Sequence, residues 1–192
     1  LENKILSIKA QTGLGKTLSS LNFAMQLRMR IKNTCKFTPR IIYVAPFTSI
    51  LDQNFAVFKN VFGTTSQSEI LLLHHHLAPL YYKSFSDESE AESFSTSQSE
   101  LLISGWSSEI VVTTFIQLFG TIFGKSTHEL RRFQNLAGSI VILDEVQSIP
   151  FEYWNAIRQA LLFLSKNYSI WFVLMTATQP LIFKNNEGFE LA

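Results

Sequence analysis

The sequence predicts a doubly wound α/β domain, a mostly parallel sheet with helices on both faces. Two observations carry this. Six short apolar runs alternate with stretches of helical spacing along the 192 residues. Four of the runs are nearly solid with Ile, Val and Leu, as strands buried on both faces are. Ligands of such sheets sit at the carboxyl ends of the strands, so chemistry is expected just after each run.

In chain order, residues 4–10 read as the first strand and 16–32 as the first helix. Residues 40–45 form the next strand, before a helix over 50–60. A strand follows at 69–74, then one at 109–113 leading into helices over 115–123 and 128–136. Residues 139–143 form an apolar strand. Over 151–165, Trp154, Ile157, Leu161 and Leu164 recur at three- and four-residue steps, the mark of an amphipathic helix. The last strand is expected at 170–175. Each strand is bounded by turn or polar residues. One stretch breaks the alternation. Residues 84–100 hold seven Ser and five acidic residues without Lys or Arg, and read as a mobile surface insertion.

The length suits one domain. At 46% hydrophobic and 16% charged, the composition excludes a disordered chain, a collagen-like repeat and a disulfide scaffold. Cys35 is the single cysteine and reads as a small core residue in a reducing compartment. No apolar run approaches the roughly 18 residues of a membrane span. No basic segment followed by an apolar one opens the chain. A soluble cytoplasmic domain with no membrane partner is the expectation. Net charge is +1 but uneven, with a surplus of +7 over residues 1–60 and −6 over 61–130. A positive region attracts phosphate, and it is also what a solvated face with scattered Lys looks like.

Three motifs carry chemistry. Ala10-Gln11-Thr12-Gly13-Leu14-Gly15-Lys16-Thr17 joins the first strand to the first helix. It matches the phosphate-binding loop of P-loop nucleotidases, with Ala10 where the general pattern has Gly. Gly13 and Gly15 let the backbone turn its N–H groups toward phosphate oxygens. The helix adds its positive dipole end. Lys16 is placed for the β- and γ-phosphates and Thr17 for Mg²⁺. Second, the strand at 139–143 delivers Asp144 and Glu145 to its carboxyl end. Asp144 is placed to hold Mg²⁺, and Glu145 to orient and deprotonate an attacking water. Phosphoryl transfer needs both a phosphate cradle and a metal-and-water site, so the two motifs strengthen each other. Third, Thr176-Ala177-Thr178 ends the last strand with two hydroxyls.

These motifs, in this order, resemble motifs I, II and III of the first RecA-like domain of superfamily 2 helicases. Further residues narrow the likeness. Ala45-Pro46-Phe47-Thr48-Ser49-Ile50-Leu51-Asp52-Gln53 resembles motif Ia of the CRISPR-associated helicase–nuclease family of type I systems. Trp106 with the Ile110–Phe119 segment, Asp144-Glu145-Val146-Gln147 with Pro150, and Met175–Pro180 are similar to blocks of the same family. The resemblance spans nearly the whole chain apart from residues 84–100.

The resemblance implies an ATP-driven motor moving 3′ to 5′ on single-stranded DNA, recruited by an RNA-guided surveillance complex. The ATP site would draw on Thr12, Gly13, Leu14, Gly15, Lys16, Thr17, Gln147, Thr176 and Thr178. Asp144 and Thr17 would hold Mg²⁺, and Glu145, Lys16 and Asp144 would act in hydrolysis. Pro46, Thr48, Ser49, Thr113, Thr114 and Gln117 would face DNA, since hydroxyls and backbone N–H groups suit phosphate contacts. For each Ser and Thr the alternative is a helix or turn cap. His74-His75-His76 reads as a polar surface loop, because alternate residues of an extended chain face opposite sides.

The family also carries an HD nuclease, fused or separate. This sequence has no His-Asp dipeptide, so no nuclease activity is expected of it. The second RecA-like domain, which would supply an arginine finger worth about 10³–10⁵ in rate, is not in the sequence. The expectation is an excised domain with weak ATP binding, little hydrolysis and no unwinding. Another superfamily 2 translocase, of restriction or repair, remains an alternative. So does a nucleotide-binding interaction module that does not hydrolyse, although intact Lys16, Thr17, Asp144 and Glu145 weigh against it.

Overall fold

A computed structural model describes residues 3–9, 15–63, 68–78, 96–176 and 189–191. Seven strands among them form one sheet: β1 (Ile5–Lys9), β2 (Ile41–Ala45), β3 (Leu71–His74), β4 (Ile110–Thr114), β5 (Ile140–Leu143), β6 (Trp171–Thr176) and β7 (Phe189–Leu191). Their order across the sheet is β3-β4-β2-β5-β6-β1-β7, and every pairing is parallel. The α-helices among the described residues are α1 (Lys16–Cys35), α2 (Thr48–Phe62), α3 (Thr96–Ser104), α4 (Phe115–Phe123), α5 (Thr127–Leu136) and α6 (Trp154–Asn167).

The solid apolar strands are solid because both faces are covered. Along β2, Ile42 and Val44 join one core, while Ile41, Tyr43 and Ala45 join the other. β5 divides in the same way, Val141 and Leu143 against Ile140 and Ile142. This is the alternation of a pleated strand between two layers. Leu21, Ala24, Leu27 and Ile31 of α1, with Leu51 and Phe58 of α2, close one face. Leu118 of α4, Leu136 of α5 and Ile157, Leu161 and Leu164 of α6 close the opposite face.

Several expectations are corrected. Residues 84–95 of the expected insertion lie outside the described residues, but 96–100 open α3 rather than a loop. Composition misleads there because the apolar Leu102, Ile103 and Trp106 follow at once. Ile103 and Trp106 are buried in the core, and docking them carries the preceding residues, Ser99 included, into a helix. Cys35 is exposed, not a core residue. The buried stripe of α1 ends at Ile31, and Cys35 sits in the last turn beyond it. Residues 151–153 form a 3₁₀ turn after Pro150, so α6 starts at Trp154. The Trp154 indole N–H donates to the Ile149 carbonyl at 2.7 Å and fixes that entry. β7 had no sequence signal long enough to register.

Candidate nucleotide-binding site

A parallel sheet sends all its carboxyl ends to one edge. Since β5, β6 and β1 are neighbours, the described residues at their carboxyl ends, Asp144 and Glu145 after β5, Thr176 at the end of β6 and Lys9 at the end of β1, lie along that edge. Lys9 of β1 is level with Thr176 of β6, and Leu143 of β5 with Leu174. Thr176 is therefore buried between the phosphate-loop strand and the acidic strand. Thr12, Gly13, Leu14 and Thr178 lie outside the described residues. Gly15 caps α1 at φ 70° and ψ 28°, left-handed backbone that a side chain disfavours. The first helical bond, Ser19 N–H to the Gly15 carbonyl at 3.0 Å, leaves Lys16 and Thr17 in the opening turn.

The acidic motif is held tightly. The Asp144 N–H donates to the Val44 carbonyl at 2.8 Å, extending the β5–β2 ladder by one residue. Glu145 then turns left-handed, φ 52°. That is uncommon for a residue with a side chain and is typical of functional turns. Lys16 Nζ donates to Glu145 Oε1 and lies 3.4 Å from Asp144 Oδ1. The Gln147 amide donates to Glu145 Oε2. Lys16, Glu145 and Gln147 thus form one contiguous polar group beside Asp144.

Two residues that sequence reasoning missed complete the site. The Tyr43 hydroxyl donates to Asp144 Oδ2 at 2.5 Å, and the Asn54 amide donates to the Tyr43 oxygen at 3.0 Å. The Thr17 hydroxyl donates to Asn54 Oδ1 at 3.1 Å. Burial and the adjacent Asp144 charge push the Tyr43 hydroxyl far above its usual range, so it stays a donor. The signals were there but weak. Tyr43 is the one polar side chain in an otherwise aliphatic strand, and Asn54 falls on the buried stripe between Leu51 and Phe58.

The donors present suit Mg²⁺. Thr17 gives its proton to Asn54, which leaves its oxygen lone pairs free to accept an ion. Asp144, joined to Thr17 through Asn54 and Tyr43, supplies a carboxylate. A Mg²⁺ that keeps water and phosphate oxygens as its other ligands needs only one or two such protein groups.

The residues expected to face DNA divide. Pro46, Thr48 and Ser49 are partly or fully exposed. Thr48 and Ser49 open α2, where first-turn N–H groups have no intrahelical acceptor. Thr113 is fully buried and its hydroxyl donates to the His74 carbonyl at 2.8 Å, so it does not reach the surface. Thr114 accepts the Gln117 N–H at 3.2 Å and caps α4. The Gln117 side-chain oxygen accepts from Arg132 at 2.6 Å. His74 belongs to β3 rather than to a loop, its ring edge-on to Trp106 with centroids 5.9 Å apart. His75 lies 3.4 Å from Asp52. No helix of the described residues is long and apolar enough to cross a membrane.

Comparison with known proteins agrees with this layout. Residues 1–184 match the DEAD/DEAH box helicase family. The chain is 33% identical over 193 aligned residues to the CRISPR-associated nuclease/helicase Cas3 of Haloferax volcanii. That alignment covers 97% of this chain and 20% of the relative, so the chain spans about a fifth of that protein's length. A hypothetical ATP-dependent RNA helicase from Sulfolobus tokodaii has a similar fold, with a TM-score of 0.55 at 18% identity over 98% of this chain and 48% of that one. The phosphate loop, the Asp-Glu pair at the end of β5 and the family match together place this chain in the DEAD/DEAH box helicase family.

Proposed function

We propose that this chain is the ATP-binding first motor domain of a DNA translocase moving 3′ to 5′ on single-stranded DNA in type I CRISPR interference. The observation that carries the reading is the meeting of Lys16, Asp144 and Glu145 at the carboxyl edge of the sheet. The likeness to Cas3 supports the nucleic acid and the pathway.

In this reading Thr12, Gly13, Leu14 and Gly15 cradle the phosphates with backbone N–H groups. Arrival of the γ-phosphate draws Lys16 from Glu145. The freed Glu145 carboxylate orients a water and accepts its proton. Asp144 and Thr17 would hold Mg²⁺, which would supply charge neutralisation to the nucleotide phosphates. Gln147, bonded to Glu145, couples that change toward the DNA face, and Thr176 and Thr178 line the phosphate side. Pro46, Thr48, Ser49 and Gln117 grip the DNA backbone, with Thr114 shaping the same turn. A second RecA-like domain supplies the arginine finger. The RNA-guided surveillance complex and an HD nuclease are the proposed partners, in the cytoplasm, and this chain itself cuts nothing.

ATP turnover by this chain, with and without single-stranded DNA and beside Lys16→Ala, tests the reading. Turnover close to background in both proteins, with ATP binding lost in Lys16→Ala, is expected. DNA-stimulated turnover abolished by Lys16→Ala would mean that the chain completes its own site without a second domain. ATP binding unaffected by Lys16→Ala would overturn the nucleotide site.

A further inference from the structure

We infer that Tyr43 and Asn54 are positioning residues for Mg²⁺, a buried relay that sets the Thr17 hydroxyl and the Asp144 carboxylate together. The inference rests on the nucleotide-binding reading and goes one step deeper into the same site.

The relay runs in one direction. Thr17 gives its proton to Asn54 Oδ1, the Asn54 amide donates to the Tyr43 oxygen, and Tyr43 donates to Asp144 Oδ2. The Thr17 hydroxyl also stands within hydrogen-bond reach of the Tyr43 oxygen, so Tyr43 links both Thr17 and Asn54 to Asp144. It joins α1, α2, β2 and the end of β5, four elements that helix packing alone would not register to within a hydrogen bond. The ring of Tyr43 is fully buried and locked edge-on to Phe58, centroids 5.2 Å apart at 90°. Asn54 is buried as well.

The consequence for the ion is specific. Asp144 Oδ2 is committed to Tyr43, and Oδ1 accepts the Glu145 N–H at 2.9 Å. The carboxylate therefore stands 3.4 Å from Lys16 rather than closing into a tight pair with it. Removing the Tyr43 hydroxyl leaves the carboxylate held only through Oδ1, so Oδ2 can turn toward Lys16, which competes with the ion for it. Removing Asn54 takes away one acceptor of the Thr17 proton and leaves Tyr43 to orient the hydroxyl. Groups that orient metal ligands in this way typically change metal affinity 10- to 100-fold when lost.

The test is binding of a fluorescent N-methylanthraniloyl ATP to this chain, titrated with Mg²⁺ and repeated in EDTA. Tyr43→Phe keeps the ring against Phe58. Its expected result is a folded protein that melts a few degrees below wild type, because Asp144 and the Asn54 amide each lose a partner, with unchanged EDTA affinity and an about tenfold higher half-saturating Mg²⁺ concentration. Asn54→Ala, which leaves Tyr43 joined to Asp144, should shift in the same direction by less. If Tyr43→Phe fails to fold, Asn54→Ala decides by the same criterion. A half-saturating Mg²⁺ concentration equal to wild type, or an equal loss with Mg²⁺ and in EDTA, overturns the relay. Wild type lacking any Mg²⁺-dependent gain overturns the nucleotide reading and the relay with it, a different and recognisable result.

Discussion

Asp144 is a buried carboxylate on which three donors converge: the Tyr43 hydroxyl, the Glu145 N–H and the Lys16 ammonium. Without them the charge would cost several kcal/mol to bury. His74 shows the opposite solution. Burial, then the charge of Arg132, holds its imidazole down to about 4, so it is neutral in the fold. An unfolded chain titrates that group near pH 6.5 and takes up the proton first. Its contribution is therefore constant above about pH 6.5 and falls as pH drops toward about 4. By about pH 5 the loss is on the order of 1–2 kcal/mol. Urea unfolding near pH 7 and near pH 5 checks this. His74→Gln should lose less stability than wild type across that interval, and an identical loss would rule out His74 as the source.

The helices α4 and α5 owe their start points to side chains rather than to composition. Thr114 accepts the Gln117 N–H and begins α4. Ser126 and Glu129 form a reciprocal capping box on α5. The box pulls the Glu129 carboxyl below its usual range through the Ser126 N–H. Gly124, just before, has no room for a Cβ because the Glu129 carboxyl and the Gly120 carbonyl occupy the space. Thr114→Ala should cost about 1 kcal/mol in chemical unfolding, with most of it recovered in Thr114→Ser. If the loss appears instead in single-stranded DNA affinity at unchanged stability, Thr114 is a DNA contact and not a cap. Thr113 contributes differently, tying β4 to β3 through the His74 carbonyl.

Across the molecule, the strand order does what no single element does. Placing β6 between β5 and β1 brings Asp144, Thr176 and the phosphate-loop strand to one edge. That edge is one wall of the ATP cleft in the proposed motor. A longer form of the protein carrying a second RecA-like domain should turn over ATP about 10³–10⁵ times faster than this chain, the worth of an arginine finger. DNA-stimulated rates of the two proteins, each corrected with Lys16→Ala, provide the measure. Rates equal and both at background would favour the non-hydrolysing interaction module over the motor, and rates equal and both high would mean that this chain completes its own site.

The α/β class, six of the strands and five of the helices were legible in the sequence because their signals are local. Buried parallel strands need unbroken Ile, Val and Leu, and amphipathic helices need apolar residues every three or four positions. Lys16, Thr17, Asp144 and Glu145 could be singled out as candidates for a similar reason: a glycine-spaced turn and an acidic pair after an apolar strand are contiguous in the chain. The rest depended on contacts distant in sequence. Tyr43 meets Asp144 across 101 positions and Thr17 meets Asn54 across 37. A tyrosine or an asparagine in a buried stripe carries no mark of its partner. Whether Thr113 faces solvent, whether Cys35 is covered and whether residues 96–100 join a helix were likewise decided by what packs against them. Hydrophobic spacing sets which face of an element is buried. Only the assembled sheet determines which polar groups that burial brings within hydrogen-bond reach.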